Sequence, residues 1–175
     1  PQEGYSPSPQ ERQSWLQISY MKEAYHTMGP KFTLGWMAEA LYSSKNFSEN
    51  YTATMMQAGE FAPTPHSKLM YNEAFRANQY VAAGIKPIYV LNDMFQFRTE
   101  FYGFTPIFPI KKNALNKAYY GKAFSRFEYM GEVSVICHLP FGAISAYVNH
   151  YSSPRREWNV GMTIGWQLFN YRFVE

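Results

Sequence analysis

The last stretch of the chain, residues 158–173, alternates strictly between apolar residues and small or polar ones. The even positions are Trp158, Val160, Met162, Ile164, Trp166 and Leu168, and the odd positions between them are Asn159, Gly161, Thr163, Gly165 and Gln167. A period of two is that of a β-strand whose faces meet different surroundings. A membrane-crossing strand needs about 9–11 tilted residues, and two tryptophans stand where interface anchors belong. The stretch therefore predicts a membrane-crossing strand that ends in aromatic residues.

The composition agrees with a β-barrel in a membrane. Aromatic residues make up 19% of the 175 residues, with 15 Tyr and 14 Phe, yet the mean hydropathy is only -0.39. Barrel strands are apolar only on the lipid side, so each gives a weak hydropathy signal. No uncharged apolar run reaches the roughly 18 residues of a membrane helix, which excludes a helical span. The competing interpretation is a soluble β-sandwich or barrel with the same alternation.

Alternation and turn residues predict an all-β, antiparallel chain of about eight strands. These predicted strands are residues 13–21, 32–43, 51–59, 80–89, 94–104, 124–139, 143–151 and 158–173. Residues 1–12 are predicted to be a loop, because they are rich in Pro, Ser and Gln.

The predicted connections alternate between long and short. The longer ones are residues 22–30, 60–76, 105–121 and 152–157, and the shorter ones are residues 43–50, 90–93 and 140–142. Outer-membrane barrels have short periplasmic turns, longer outer loops and an even number of strands. A soluble meander has no reason to sort its loops by end, so the alternation favours a transmembrane barrel in the bacterial outer membrane. We expect loop 60–76 to fold inward and loop 105–121 to lie outside.

The charged residues of the predicted strands fall on the face opposite the aromatic one. In a membrane barrel that face is the lumen, whereas a charge at the lipid midplane costs a few kcal/mol. The charged positions predicted to line the lumen are Glu39, Lys86, Arg98, Glu100, Arg126, Glu128 and Glu132.

The sequence contains no recognisable catalytic or metal-binding motif. It lacks a Gly-x-Ser-x-Gly nucleophile elbow, because residues 142–146 have the wrong spacing and no second glycine. The four histidines are isolated, and His150 near Asn149 is the nearest approach to a catalytic arrangement. Cys137 is alone, so neither an internal disulfide nor a Cys-based metal site is expected. The net charge of +3 is dispersed and gives nucleic-acid binding no support. No catalytic, cofactor-binding or metal-ligating residue is predicted, and no cofactor.

Four short segments resemble a known family. They are residues 76–80 (Arg-Ala-Asn-Gln-Tyr), 63–68 (Pro-Thr-Pro-His-Ser-Lys), 129–132 (Tyr-Met-Gly-Glu) and 168–175 (Leu-Phe-Asn-Tyr-Arg-Phe-Val-Glu). Together they resemble the C-terminal barrel of patatin-like phospholipases from the Bacteroidota, which is similar to the surface-antigen superfamily of outer-membrane barrels. The resemblance implies a patatin-type hydrolase domain, a small periplasmic domain and a 16-stranded barrel.

The resemblance also assigns a role to Arg76. The superfamily carries an Arg-Gly-aromatic element in a long outer loop before the last five strands, and Arg76 closes loop 60–76 at that position. The glycine is absent, since Ala77 and Asn78 follow. The resemblance implies that Arg76 pairs with lumen acids such as Glu100, Glu128 or Glu132. A loop-base arginine in solvent is the alternative.

Three functions follow as expectations. In the first, residues 1–175 are the C-terminal half of a 16-stranded barrel that anchors or translocates an N-terminal lipid acyl hydrolase. Its partners are outer-membrane lipid, the other barrel half and the patatin domain, on the same or a separate chain. Because the chain starts without a secretory signal, it is expected to be the tail of a longer precursor. The second is a self-contained eight-stranded porin, adhesin or structural barrel without a linked enzyme, and the third is a soluble β-protein with a ligand cavity.

Overall fold

Seven long antiparallel strands, each hydrogen-bonded to the next one along the chain, form the main sheet. The structure, a computed structural model, describes residues 14–48, 50–153 and 158–166. In chain order its elements are β1 (Gln17–Thr27), β2 (Phe32–Ser43), α1 (Tyr51–Gln57), β3 (Gly59–Glu60), short 3-10 helices at Ser67–Leu69 and Glu73–Phe75, β4 (Arg76–Ala77), β5 (Gln79–Val90), β6 (Phe95–Pro106), β7 (Ile110–Lys112), β8 (Ala118–Tyr120), β9 (Glu128–Leu139), β10 (Gly142–Tyr151) and β11 (Trp158–Trp166). The main sheet has the order β1-β2-β5-β6-β9-β10-β11, and β3-β4 and β7-β8 form two small ribbons.

The prediction of an antiparallel all-β chain is confirmed. Within the described residues the sheet has two edges, β1 and β11. The C-terminal part of the last predicted strand, residues 167–173, and the predicted loop 1–12 lie outside the described residues. The predicted break at residues 22–30 is wrong over its first part, because β1 continues to Thr27 and the chain turns at residues 28–31.

The strand predicted at residues 51–59 is wrong, because helix α1 occupies most of that segment. Asn50 caps the helix, and its side-chain oxygen accepts a hydrogen bond from the backbone nitrogen of Ala53 at 2.8 Å. Such a cap satisfies one of the free amide groups of the first turn. Met55 and Ala58 are buried, so the segment follows a helical spacing rather than alternation.

The connections sort into two ends of the sheet, which we name the loop end and the turn end. Residues 44–78, 107–127 and 152–157 connect strands at the loop end, and residues 28–31, 91–94 and 140–141 connect them at the turn end. The predicted alternation of long and short connections is therefore present, with a correction near the start of the chain. Residues 22–30 were expected to hold a long loop and instead lead to a short turn, and residues 43–50 belong to the longest connection.

The two faces of the sheet differ in polarity, and we name them the outer face and the inner face. Directly opposite residues of paired strands lie on the same face, which makes the assignment continuous across all seven strands. The outer face carries exposed apolar side chains in every described strand, among them Ile18, Phe32, Ile85, Phe97, Phe101, Val133, Val148, Val160 and Ile164. The inner face carries Glu23, Glu39, Lys86, Arg98, Glu100, Glu128, Glu132, Ser134 and Asn149. The charged strand positions Glu39, Lys86, Arg98, Glu100, Glu128 and Glu132 lie on the inner face as predicted, whereas Lys22 of β1 lies on the outer face.

Glycines on the strands lie directly opposite aromatic residues. Tyr25 is opposite Gly35, Tyr102 is opposite Gly84, and Tyr147 is opposite Gly161. In each pair the aromatic ring fills the space above the glycine, so that a Cβ at Gly84 would lie 2.2 Å from the ring of Tyr102. Aromatic residues placed over glycine pin the register of a sheet. These three pairs all lie on the inner face and fix the register at three separate strand pairs.

The strands are staggered in one direction. The residue opposite Ala38, in the middle of β2, is Ala83, and the residue opposite Ala83 is Gly103. Opposite Gly103 lies Tyr129, the second residue of β9. Each step along the sheet therefore moves closer to the loop end. A consistent stagger of this kind accompanies tilted strands, which is the geometry that barrels require.

Candidate functional site

The inner face is covered by residues 59–77, which we name the cover segment. Phe61 and Phe75 on this segment are each 1% exposed. The ring of Phe61 stacks on Phe104 with centroids 5.9 Å apart, and the ring of Phe75 meets the edge of Tyr151 at 6.0 Å. Since Phe104 and Tyr151 belong to the inner face, the segment is docked on the sheet by an aromatic core. Burying aromatic rings of this size contributes most of the docking energy.

Arg76 holds the two ends of the cover segment together. Its guanidinium pairs with Glu60 at 2.5 Å, and it donates to the carbonyl oxygens of Met56 and Ala58 at 3.2 and 3.3 Å. The ring of Tyr71 lies 4.8 Å from the guanidinium carbon. The expectation that Arg76 pairs with Glu100, Glu128 or Glu132 is wrong, and so is the alternative of a solvated arginine, because its side chain is only 12% exposed. Arg76 acts inside the cover segment, at the C-terminal end of α1.

The charged residues of the inner face form an ordered network. Arg98 pairs with Glu100 at 2.6 Å, and Glu100 also accepts a hydrogen bond from the hydroxyl of Tyr102. Lys86 pairs with Glu23 across β2. Glu100 and Glu132 lie directly opposite each other on neighbouring strands, an arrangement of like charges that is unfavourable by itself. The Arg98 side chain offsets it by neutralising Glu100.

Glu132 is the least compensated charge of the inner face. Its side chain is buried, and Asn149 lies directly opposite on β10 with only 2% exposure. Within the described residues, Glu132 Oε2 and both polar side-chain atoms of Asn149 make no well-formed hydrogen bond. Burying such groups costs about 1–3 kcal/mol each when they stay unpaired. Glu132 and Asn149 are therefore the inner-face residues whose burial is least compensated by hydrogen bonds within the described residues.

Arg126 and Glu128 lie at the loop end. Arg126 precedes β9 rather than lying on a strand, and its Nε donates to Glu128 at 3.0 Å. The same guanidinium donates to the carbonyl oxygen of Ala74, and Glu128 accepts from the hydroxyl of Ser152 at 2.5 Å. This cluster ties the cover segment to the start of β9. It borders an open polar cleft of about 490 Å³ that is lined by Tyr71, Glu73, Ala74, Arg126, Glu128 and Ser153.

The candidate residues for chemistry are not brought together. Ser145 lies on the inner face opposite Ile136, whereas His150 lies on the outer face, with its ring 4.8 Å from that of Trp158. Cys137 and His138 likewise point to opposite faces of β9, where His138 contacts Gln96 at 3.1 Å. Within residues 14–48, 50–153 and 158–166, no three His, Cys, Asp or Glu side chains are grouped as metal ligands. None of the helices in that part of the chain has both the length and the apolar character of a membrane span.

Two features of the site were not predicted from the sequence. Helix α1 directly precedes the cover segment, and the Arg76–Glu60 ion pair closes the segment at its two ends. A helical spacing after a capping asparagine at position 50 was the available signal. The loop-end cleft is formed by three distant connections, and no local pattern marks it.

Comparison with known proteins identifies no relative of this chain. No protein-family model, curated protein or solved structure matches this chain.

Proposed function

We propose that this chain forms part of the wall of a bacterial outer-membrane β-barrel, with the outer face in lipid and the inner face towards the lumen. The observation that carries the proposal is the exposed apolar outer face, because a soluble protein ordinarily buries such a face. Apolar side chains are exposed on this face across all seven described strands, while the inner face buries carboxylates and amides beside the hydrophobic core under the cover segment.

The extent of the exposed apolar face supports this assignment. Soluble monomers rarely expose contiguous apolar patches larger than a few hundred Å². Here Ile85, Phe101 and Val133 lie at the centre of the outer face with 50%, 53% and 49% exposure. On the described strands of the main sheet, Lys22 is the single Asp, Glu, Lys or Arg on that face. Contact with the hydrocarbon of a membrane removes such a face from water, which is favourable.

Lys22 is the exception and lies at the edge of the sheet. It is on β1, with its ammonium nitrogen 5.7 Å from the centre of the Trp36 ring. A lysine near a bilayer can extend its aliphatic stem and place the ammonium group nearer the interface. The cation–π contact with Trp36 reduces the cost of the charge further.

The filled inner face supports an anchoring role rather than an open pore. The cover segment places Phe61 and Phe75 against the inner face, so this part of the lumen is occupied by protein. The edges β1 and β11 need partners, because unpaired backbone groups are not tolerated in lipid. We propose that further strands of a larger barrel supply them, as the 16-stranded plan implies.

The linked lipid acyl hydrolase stays a prediction from the resemblance to patatin-like phospholipases. The proposed task of this chain is then to anchor, or help to translocate, that N-terminal enzyme. The alternative is a self-contained barrel without a linked enzyme. Seven described strands with two free edges favour the larger barrel over a closed eight-stranded one, since α1 replaces one of the eight predicted strands.

The proposal is tested by fractionating cells that produce the protein from its complete gene. We expect the protein in the outer-membrane fraction, resistant to a carbonate wash, and faster on a gel when unheated than when boiled. Recovery in the soluble fraction without detergent would contradict the membrane assignment. Intact-mass measurement of the same material tests the linkage separately, because a patatin-type enzyme on the same chain adds several hundred residues.

A further inference from the structure

The polar cleft at the loop end has the features of a binding site for a small neutral ligand. Its volume of about 490 Å³ lies within the roughly 300–1,000 Å³ that is usual for small-molecule sites. The cover segment forms one wall, the chain before and at the start of β9 forms the other, and Ser153 lies beside them. Three separate connections therefore converge on one cavity.

The polar groups of the cleft are held in place by contacts with one another and with neighbouring residues. Arg126 is fixed by Glu128 and by the carbonyl oxygen of Ala74. Glu73 is fixed by the hydroxyl of Tyr51, and Tyr71 stacks on Arg76. Groups that are already positioned lose little freedom when a ligand binds.

The charges of the cleft disfavour anionic ligands. Arg126 is paired with Glu128, and Glu73 adds a second carboxylate, so the three side chains carry one net negative charge. The lining offers both kinds of hydrogen-bonding group, because carboxylates only accept and a guanidinium only donates. A neutral ligand with several hydroxyl groups matches this lining, since each hydroxyl group both donates and accepts.

Tyr71 adds an aromatic surface to these groups. Its side chain is 51% exposed, which leaves ring area available to an apolar face of the ligand. Partial burial and the carboxylate of Glu73 raise the pKa of Tyr71, so its hydroxyl stays a donor. We propose that the cleft binds a neutral saccharide, with the sugar ring on Tyr71 and its hydroxyls on Glu73 and Arg126. This inference goes beyond the membrane assignment and does not depend on it.

The test uses the full-length protein in detergent and three neutral disaccharides as probes: maltose, lactose and chitobiose. Saturation-transfer NMR and a fluorescence titration measure binding. We expect saturable binding of at least one disaccharide, weakened about tenfold by Tyr71→Ala and much less by Tyr71→Phe, which keeps the ring. Tyr119→Ala, which removes an exposed tyrosine of the β7-β8 ribbon, is the matched control and should leave binding unchanged.

A second variant guards against loss of structure. Arg126→Lys keeps the charge and loses the planar donor geometry, so we expect it to weaken binding severalfold while the gel mobility of the folded protein is retained. The proposal is overturned if none of the three disaccharides binds saturably. It is equally overturned if Tyr71→Ala and Tyr119→Ala bind alike, or if inorganic phosphate competes for the site.

Discussion

The two faces of one sheet show how the surroundings of a protein decide which residues belong where. On the outer face Phe101 and Val133 are exposed, and on the inner face their sequence neighbours Glu100 and Glu132 are buried. Large apolar side chains are ordinarily buried and carboxylates exposed, so the arrangement at these four positions is unusual. Under the proposed membrane assignment the outer face needs no specific partner, because lipid is a uniform apolar solvent. Burying a charge costs free energy unless the charge is paired. The inner face therefore requires ion pairs and ordered polar contacts beneath the aromatic residues that cover it.

A charge placed on the outer face is expected to have the largest effect on the difference between the two faces. Val133→Arg puts a guanidinium at the middle of β9, which costs about 2–4 kcal/mol at a bilayer midplane. We expect that loss in the free energy of unfolding measured in lipid vesicles. Ser145→Arg on the inner face is the control and should change it by less than about 1 kcal/mol. Equal effects of the two variants would remove the distinction between the faces.

The next largest effect is expected on the cover segment. Arg76→Ala removes the charged hydrogen bonds to Glu60 and to the carbonyl groups at the end of α1, each worth about 1.5–3 kcal/mol. We expect limited proteolysis to cut residues 59–77 faster while the strands stay protected. Lys68→Ala removes an exposed positive charge from the same segment and should leave the cleavage rate unchanged. If both variants are cut at the same rate, Arg76 does not hold the segment.

The glycine–aromatic pairs give a sharper test of the inner face. Gly84→Ala places a Cβ 2.2 Å from the ring of Tyr102 and 2.7 Å from the carbonyl oxygen of Phe101, and overpacking of this kind costs about 1–3 kcal/mol. At Gly165 the nearest atom to such a Cβ is 3.8 Å away, so Gly165→Ala should be nearly neutral. Chemical denaturation of both variants compares them, and a loss for Gly165→Ala as large as for Gly84→Ala would refute the role of the ring.

The smallest expected effect depends on pH. Burial lowers the pKa of His66, whose Nδ1 lies 2.9 Å from the hydroxyl oxygen of Tyr151. The folded protein therefore binds the proton less readily than the unfolded chain, so stability is lost as the pH falls below the ordinary histidine pKa of about 6.5. We expect the protection factors of the cover-segment amides, which are corrected for the slower intrinsic exchange at low pH, to fall as the pH is lowered from 7 to 5, and we expect His66→Gln to remove this contribution. Unchanged pH dependence in His66→Gln would exclude His66 as its source.

Alternation predicted most of the long strands and their faces, although the strand predicted at residues 124–139 begins only at Glu128. Phe32–Ser43 is a strand with the predicted bounds, and the inner position of Glu100 follows directly from its neighbours. The pattern failed at Tyr51–Gln57, because a short apolar segment fits a helix as well as a strand, and the capping Asn50 favours the helix. It also failed for Arg76, since its partner Glu60 is fixed by the docking of the cover segment and not by any local spacing. The alternation also does not specify what pairs with the edge strands β1 and β11.

The central claim is that the outer face lies in lipid, and spin labels placed on β9 and β11 test it most directly. A label at Val133 and one at Val160, each introduced through cysteine after Cys137→Ser, are compared with labels at the inner positions Ser134 and Asn159. In the membrane-embedded protein, oxygen in the bilayer should relax the first two strongly, and a water-soluble nickel complex should not reach them. The two inner labels should respond weakly to oxygen. Labels at Val133 and Val160 that respond to the nickel complex and not to oxygen would contradict the account.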